Sequence, residues 1–448
     1  MLMSSYVLLA ALCLLLIIAL IISRKDILSP FAVSTIMFLI STGVAVVYMS
    51  KWQFSLSYVT VFIIISALLI FGAGEVFSKK VCGCLFKKEP EIRLDRVEIP
   101  TGLTIVIILL MCVFLLYAFR TIYALSVQGG NAEGYGAMMT YARRMTLQEG
   151  YSRSRGLNHI LVFSKALSYI FGWAALHNFV YRRFKKTDCL YAVPVVLGFG
   201  IYAVGTVTRG FAIEWIAYYL MLYLLMCSKK NRWKSINIWK IALVGGGALA
   251  LFLVLFIFLG MAANRFNLAS IVDTIAFYTG LSIPSLDHYI ANHIPVSQIV
   301  GSETLYGVYA VLNKLGMSDV SMNMALEFIS FNGVEGNVFT SLRRYINDFG
   351  YVGLYIVQFY LGVFYGFFYN FVKKQSSEGP MIVYAIFAYP LVIQAIEEKF
   401  FSAYVAVGTV NLFIYMIVSY LVVLKIPQLL KEYRQRKKGV GYENRKTN

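Results

Sequence analysis

The chain has 448 residues, 59% of them hydrophobic and 14% charged, with a mean hydropathy of +0.70. Soluble domains carry about 25% charged residues, so composition excludes a soluble globular protein and implies an all-α polytopic membrane protein. The net charge of +18 is what basic cytoplasmic loops produce under the positive-inside trend, so nucleic acid is not an expected partner and membrane lipid is.

In chain order, apolar runs predict about 11 (11–12) transmembrane helices, near 4–23, 31–50, 57–77, 101–122, 157–181, 189–207, 211–227, 238–262, 350–372, 380–397 and 401–424. The whole chain, 1–448, then reads as a single transmembrane domain. The first run has no basic leader and no small-residue cleavage site, which fits a membrane helix rather than a cleaved signal. The sixth and seventh runs are split only by Thr208-Arg209-Gly210. They read as two helices or as one broken re-entrant pair.

Charge orients these elements. Of the 40 Lys and Arg, 26 fall in clusters around Arg24, Lys79–Arg96, Arg182–Lys186, Lys229–Lys234, Lys373-Lys374 and a basic tail over 425–448. With eleven spans all of these share one side, which puts the N-terminus outside and the C-terminus inside. Two long loops, 123–156 and 263–349, then face outward. Within the second, Leu268 to Tyr289 is apolar enough for an interfacial or re-entrant helix, and Gly333, Gly336 and Asn337 read as turn residues.

Eight arginines depart from the positive-inside trend: Arg143, Arg144, Arg153, Arg155, Arg209, Arg265, Arg343 and Arg344. Arginine suits phosphate because its planar fork offers paired donors and stays charged. Arg209 lies between two apolar runs, where a charge must be paired or face a cavity, and Glu214 is a candidate partner. Asp348 follows Arg344 by four residues, so on a helix the two share a face. There Asp348 serves as a base, orients a sugar hydroxyl, or simply pairs with Arg344. Glu397-Glu398-Lys399 reads as an outward turn. His159 starts an outer helix, His177 sits near an inner helix end, and Asp287, His288 and His293 lie in the second outer loop. Six scattered cysteines give neither a disulfide framework nor a zinc site. The sequence has no Walker A loop, no HExxH and no DxD, so no metal or cofactor is expected and any chemistry should face outward without a nucleotide.

Two stretches carry a resemblance. One is Gly205 to Leu225, with Thr208-Arg209-Gly210 opening a helix. The other is NVFTSLRRYINDFGYVGLY from Asn337, an N-x-[FY]-T … R … D-F-G-x-x-G pattern entering a late span. Together with the plan of spans and loops they resemble the Wzy-type O-antigen polymerases, a plan shared with O-antigen ligases and with the GT-C-like membrane glycosyltransferases. The resemblance implies a bacterial inner-membrane glycosyltransferase with a periplasmic active site. Its substrates would be undecaprenyl-pyrophosphate-linked oligosaccharides, joined one repeat unit to the next, with a chain-length regulator protein as a partner. It implies that Arg209 and one or both of Arg343 and Arg344 bind the pyrophosphate or stabilise it as it leaves, and that Asp348 orients the site. Arg143, Arg144, Arg153, Arg155, Arg265, His159, Asn337 and Tyr345 would then bind substrate. An O-antigen ligase acting on lipid A–core is the enzymatic alternative, and a flippase for the same lipid-linked sugars is the alternative from another class.

Overall fold

The computed structural model describes residues 2–85, 95–146, 148, 151, 153–208, 210–234, 239, 243–247, 250–251, 254–255, 257, 268–292, 299–320 and 326–433. Among these, nine helices are long and apolar enough to cross a membrane: Met3–Ile22, Pro30–Trp52, Tyr58–Cys82, Thr101–Gln128, Arg155–Val180, Lys186–Thr206, Phe211–Lys230, Ser341–Lys374 and Val407–Tyr433. Helices are what such sequences must form in lipid, where every backbone N–H and C=O needs an internal partner. Local signals set their ends. Ser29 accepts a hydrogen bond from the Ala32 N–H ahead of Pro30, and Ser154 accepts one from the Leu157 N–H.

Nine of the eleven expected spans have a counterpart here. The expected helix over 238–262 lies mostly outside the described residues. The run near 380–397 is helical only over Gly379–Ile393, 15 residues with Pro390 inside. At 1.5 Å per residue that is about 22 Å, short of a hydrocarbon core of about 30 Å. The sixth and seventh runs are separate helices, α7 (Ala192–Thr206) and α8 (Phe211–Lys230).

The two long loops expected to face outward hold regular structure among their described residues. Residues 123–156 contain the end of α4 (Thr101–Gln128) and a short helix α5 (Gly134–Thr146). The second loop holds α9 (Leu268–Gly280), α10 (Ser282–Asn292), α11 (Tyr306–Lys314) and a hairpin of β1 (Ile329–Phe331) and β2 (Val334–Gly336). The hairpin is a small departure from an all-α fold. Its two-residue turn is Asn332-Gly333, both with positive φ (48° and 80°), the geometry that suits Asn-Gly. Gly336 is therefore not a turn residue: it pairs with Ile329, and a Cβ there would sit 2.4 Å from the Phe277 ring.

The chain forms two compact units. One comprises Met1–Arg93, Ile216–Ala250 and Phe266–Thr409, and the other Leu94–Trp215, Leu251–Arg265 and Val410–Asn448. In the first, α3 (Tyr58–Leu85) lies along α12 (Ser341–Lys374) at backbone contact. A Cβ on Gly74 would be 2.2 Å from the Phe359 carbonyl oxygen, and one on Gly362 would be 2.0 Å from that of Phe71. Small residues let membrane helices approach this closely, and Gly362 and Gly366 have the spacing that does so. In the second unit α6 (Arg155–Val180) packs on α7. There the Ser168 hydroxyl donates to the carbonyls of Ser164 and Pro194.

Candidate functional site

The most concentrated chemistry in the first unit sits at the head of α12. Gly350 has φ 67° and ψ −174° inside this helix, a conformation that only glycine adopts without strain. It divides α12 into a polar half-helix, Ser341–Phe349, and an apolar segment, Tyr351–Lys374. The half-helix is buried at Ser341, Leu342, Arg343, Arg344, Tyr345, Ile346 and Asp348. Two arginines and an aspartate thus enter the interior on nine residues of backbone, and burial requires that each be paired.

Arg343 is 5% exposed and held on two sides. Glu327 takes its fork with both oxygens, at 3.2 Å from Nε and 2.6 Å from Nη2. Glu303 takes Nη1 with one oxygen. The guanidinium also lies 4.6 Å from the centre of the Tyr289 ring and 5.6 Å from that of Phe339, a stacked cation–π arrangement. Arg344, 3% exposed, donates from Nη1 to the Glu303 carbonyl at 3.3 Å and lies 3.8 Å from its carboxylate. Burial pushes the Glu303 carboxyl above its ordinary value of 4.5; Arg343 and Arg344 pull it down, while Asp348 and Glu327 push it up. Burial likewise pushes the Tyr289 phenol up to about 12, so it stays protonated and donates to Asn347 Oδ1 at 3.0 Å.

Asp348 does something other than the expected ion pair along the helix. Its oxygens accept the backbone N–H of Thr304 at 2.6 Å and of Glu303 at 3.2 Å. It ties down the turn that carries Glu303. Two buried hydroxyls on the same segments, Thr304 Oγ1 and Thr340 Oγ1, have no hydrogen-bond partner among the described residues. They are donors without an assignment at a site rich in acceptors.

A second carboxyl approaches the half-helix from its other side. Glu398 is 2% exposed and accepts from the Tyr345 hydroxyl at 3.3 Å, the Phe401 N–H at 2.8 Å and the Ser402 N–H at 3.0 Å. Burial raises its pKa against those amide bonds. The expected solvated turn at Glu397-Glu398-Lys399 is therefore half right: Glu397 pairs with Lys399 at 2.6 Å, while Glu398 is core.

The other predicted residues are distributed as follows. Asn337 is half-buried, just after the hairpin. Arg143, Arg144, Arg153, Arg155 and His159 belong to the second unit. Arg143 and Arg144 end α5, and Arg144 and Arg155 are exposed. Arg153 donates to Asn158 Oδ1 at 3.5 Å. His159 Nδ1 shares a 2.8 Å hydrogen bond with the Tyr415 hydroxyl. His177 bonds the Asp95 carbonyl at 2.8 Å, as a helix-end histidine should. Asp287 accepts from the N–H and hydroxyl of Ser57 and from the Thr60 hydroxyl, so it caps α3. His293, Arg209 and Arg265 lie outside the described residues. Glu214, the candidate partner for Arg209, pairs with Lys165 at 2.6 Å, with the ammonium 5.4 Å from the Tyr202 ring centre.

Sequence reasoning therefore missed Glu303, Glu327, Tyr289 and Lys165. Acidic residues in the 263–349 loop, which also leads to two buried arginines, were the available signal for the glutamates. Lys165, a lone charge inside a predicted span, was a signal of the same kind as Arg209. Among the described residues no group of three His, Cys, Asp or Glu side chains is arranged to hold a metal ion. No protein-family model, no curated protein and no solved structure matches the chain.

Proposed function

We propose that this multi-pass membrane protein is a metal-independent glycosyltransferase of the O-antigen-polymerase kind. It would join oligosaccharide repeat units carried on undecaprenyl pyrophosphate at the periplasmic face of the bacterial inner membrane. The observation that carries this reading is Arg343. Its fork is buried at the head of the charge-free apolar run Tyr351–Val372 and already engages an oxyanion through two parallel contacts. A carboxylate in that position stands in for a phosphate, which binds the same fork in the same plane. A pyrophosphate leaving group develops charge as the glycosidic bond changes partners, and buried arginines offset that charge without a metal.

In this reading Arg343 and Arg344 hold the pyrophosphate and Asp348 positions the loop that faces them; Arg209, outside the described residues, keeps the pyrophosphate-binding role that the resemblance implies. The arginines of 123–156 guide the lipid-linked chains. The eleven-span topology, the GT-C-like plan, the outward placement of 263–349 and a chain-length regulator partner belong to the same proposal.

Deleting the gene and examining lipopolysaccharide separates the readings. Core bearing a single repeat unit supports the polymerase; core bearing none refutes it and indicates a ligase or flippase. Complementation with Arg343→Lys, which keeps the charge and loses the fork, should give markedly shortened polymer. Wild-type chain lengths with that variant, or with Arg209→Ala, would remove those residues from the site.

A further inference from the structure

Each nitrogen of the Arg343 guanidinium is already engaged, so no two-donor face of the fork is open to a phosphate as it stands. Glu327 holds Nε and Nη2 with both of its oxygens. Glu303 holds Nη1 with one, and that oxygen lies 3.8 Å from Arg344. An incoming anion must displace one of the two glutamates, and the single contact is the weaker. Displacing Glu303 also gives the anion access to both guanidiniums at once, since Glu303 is the carboxylate that faces both. The Glu303 backbone does not have to move, because Asp348 holds its N–H and that of Thr304. Only the side chain swings.

We propose that Glu303 is the exchangeable ligand of Arg343 and the general base of the reaction. The donor's pyrophosphate takes its place on the arginines, and the freed carboxylate receives the proton of the acceptor hydroxyl. This rests on the glycosyltransferase reading and supplies the base that the sequence did not reveal.

The exchange itself raises basicity. At rest Glu303 faces Arg343 and Arg344, which hold its proton affinity down, and Asp348 and Glu327, which raise it. Once the pyrophosphate neutralises the arginines, the lowering influences are lost and two more negative groups are near. The carboxylate changes from counter-ion to proton acceptor only when the donor is seated. The step balances. The acceptor O–H breaks and its proton goes to Glu303. The oxygen's electron pair forms the new bond to the anomeric carbon. The bond from that carbon to the phosphate oxygen breaks, and its pair leaves with the lipid pyrophosphate against Arg343 and Arg344. The proton on Glu303 is released to water before the carboxylate returns to Arg343.

The test uses the full chain in proteoliposomes with a repeat unit linked to undecaprenyl pyrophosphate as donor and acceptor, reading donor binding and polymer formation separately. Glu303→Gln should bind donor as tightly as wild type or more tightly, because an amide competes less well for Arg343. Its rate should fall about 100-fold or more, the usual contribution of a general base. Glu303→Asp keeps a carboxylate on a shorter stem and should retain a rate above that of the glutamine variant, with a displaced pH–rate profile. A wild-type rate in Glu303→Gln, or donor binding lost in parallel with rate, overturns the proposal. If Glu303→Gln does not fold, Glu303→Asp decides, and an unaltered pH–rate profile there overturns it. A wild type that polymerises the donor, with Glu303→Gln equally fast, overturns the role of Glu303 and leaves the glycosyltransferase reading standing. A wild type that neither binds nor polymerises the donor refutes the glycosyltransferase reading and Glu303's role with it.

Discussion

Replacing Arg343 with methionine keeps much of the side-chain volume and removes the charge that Glu303 and Glu327 share. Arg343 is 5% exposed, so water cannot take its place. Losing one partner of a buried ion pair costs about 3–5 kcal/mol. The carboxylates keep 20% and 29% of their side-chain exposure, which places the expected loss at about 3 kcal/mol, the lower end of that range. The loss should depend on pH. The Glu303 carboxyl already sits above its ordinary value of 4.5, and without Arg343 only Arg344 pulls it down. A carboxyl with a raised folded pKa contributes stability that is complete below its unfolded value and disappears as pH climbs through the folded one. The variant's deficit should therefore be largest near pH 8 and shrink toward pH 5. Denaturant unfolding of the detergent-solubilised protein, followed by tryptophan fluorescence at several pH values, measures this. Adding Glu303→Gln and Glu327→Gln to Arg343→Met should recover most of the loss. Equal stability of wild type and Arg343→Met at pH 8, or a deficit independent of pH, would refute the clamp.

Four further outcomes are expected. Gly350→Ala places a side chain at φ 67° and ψ −174° and should cost about 1–3 kcal/mol, seen as a lower unfolding midpoint. Gly362→Ala drives a Cβ to 2.0 Å from the Phe71 carbonyl oxygen; cysteines at Ser66 and Tyr355, whose hydroxyls lie 2.9 Å apart, should then cross-link in lower yield than in the Gly362 background. Lys165→Met removes the ammonium 2.6 Å from Glu214 in a largely buried setting and should destabilise the second unit, with Glu214→Gln in the same chain restoring it. Labelling of cysteines at Ser330 and Ser376 should find the first reachable from outside and the second from inside, and the reverse would overturn the proposed orientation.

The spans were legible because lipid leaves the backbone few options and apolar length reports directly on crossing. At 380–397 the apolar helix stops at Ile393, an end that hydropathy does not report because it sees composition alone. The position of Arg343 and Arg344 at the head of a span was also legible, since charge stops where the apolar run begins. Their partners were not. Glu327 is 16 residues away and Glu303 is 40, and nothing in local periodicity couples such separations. Asp348 was drawn toward Arg344 by helical spacing, yet tertiary packing supplied backbone amides from Thr304 and Glu303 instead. Gly333 was legible as a turn residue, but the hairpin that the Asn332-Gly333 pair closes was not read from the sequence.

That turn has a consequence for how the clamp assembles. Joining Glu327 to Arg343 closes a loop through the intervening chain, and the freedom lost grows with the logarithm of loop length. The hairpin pairs Ile329 with Gly336, so the segment between the partners is already folded back on itself before they meet. The remaining closure is shortened by about a third and its entropic cost falls by a few tenths of a kcal/mol. Nucleation at Asn332-Gly333 would then precede ion pairing, with a neutral turn setting how quickly Arg343 finds Glu327. Lengthening that turn with a few glycines should slow assembly of the clamp without altering any charged atom in it.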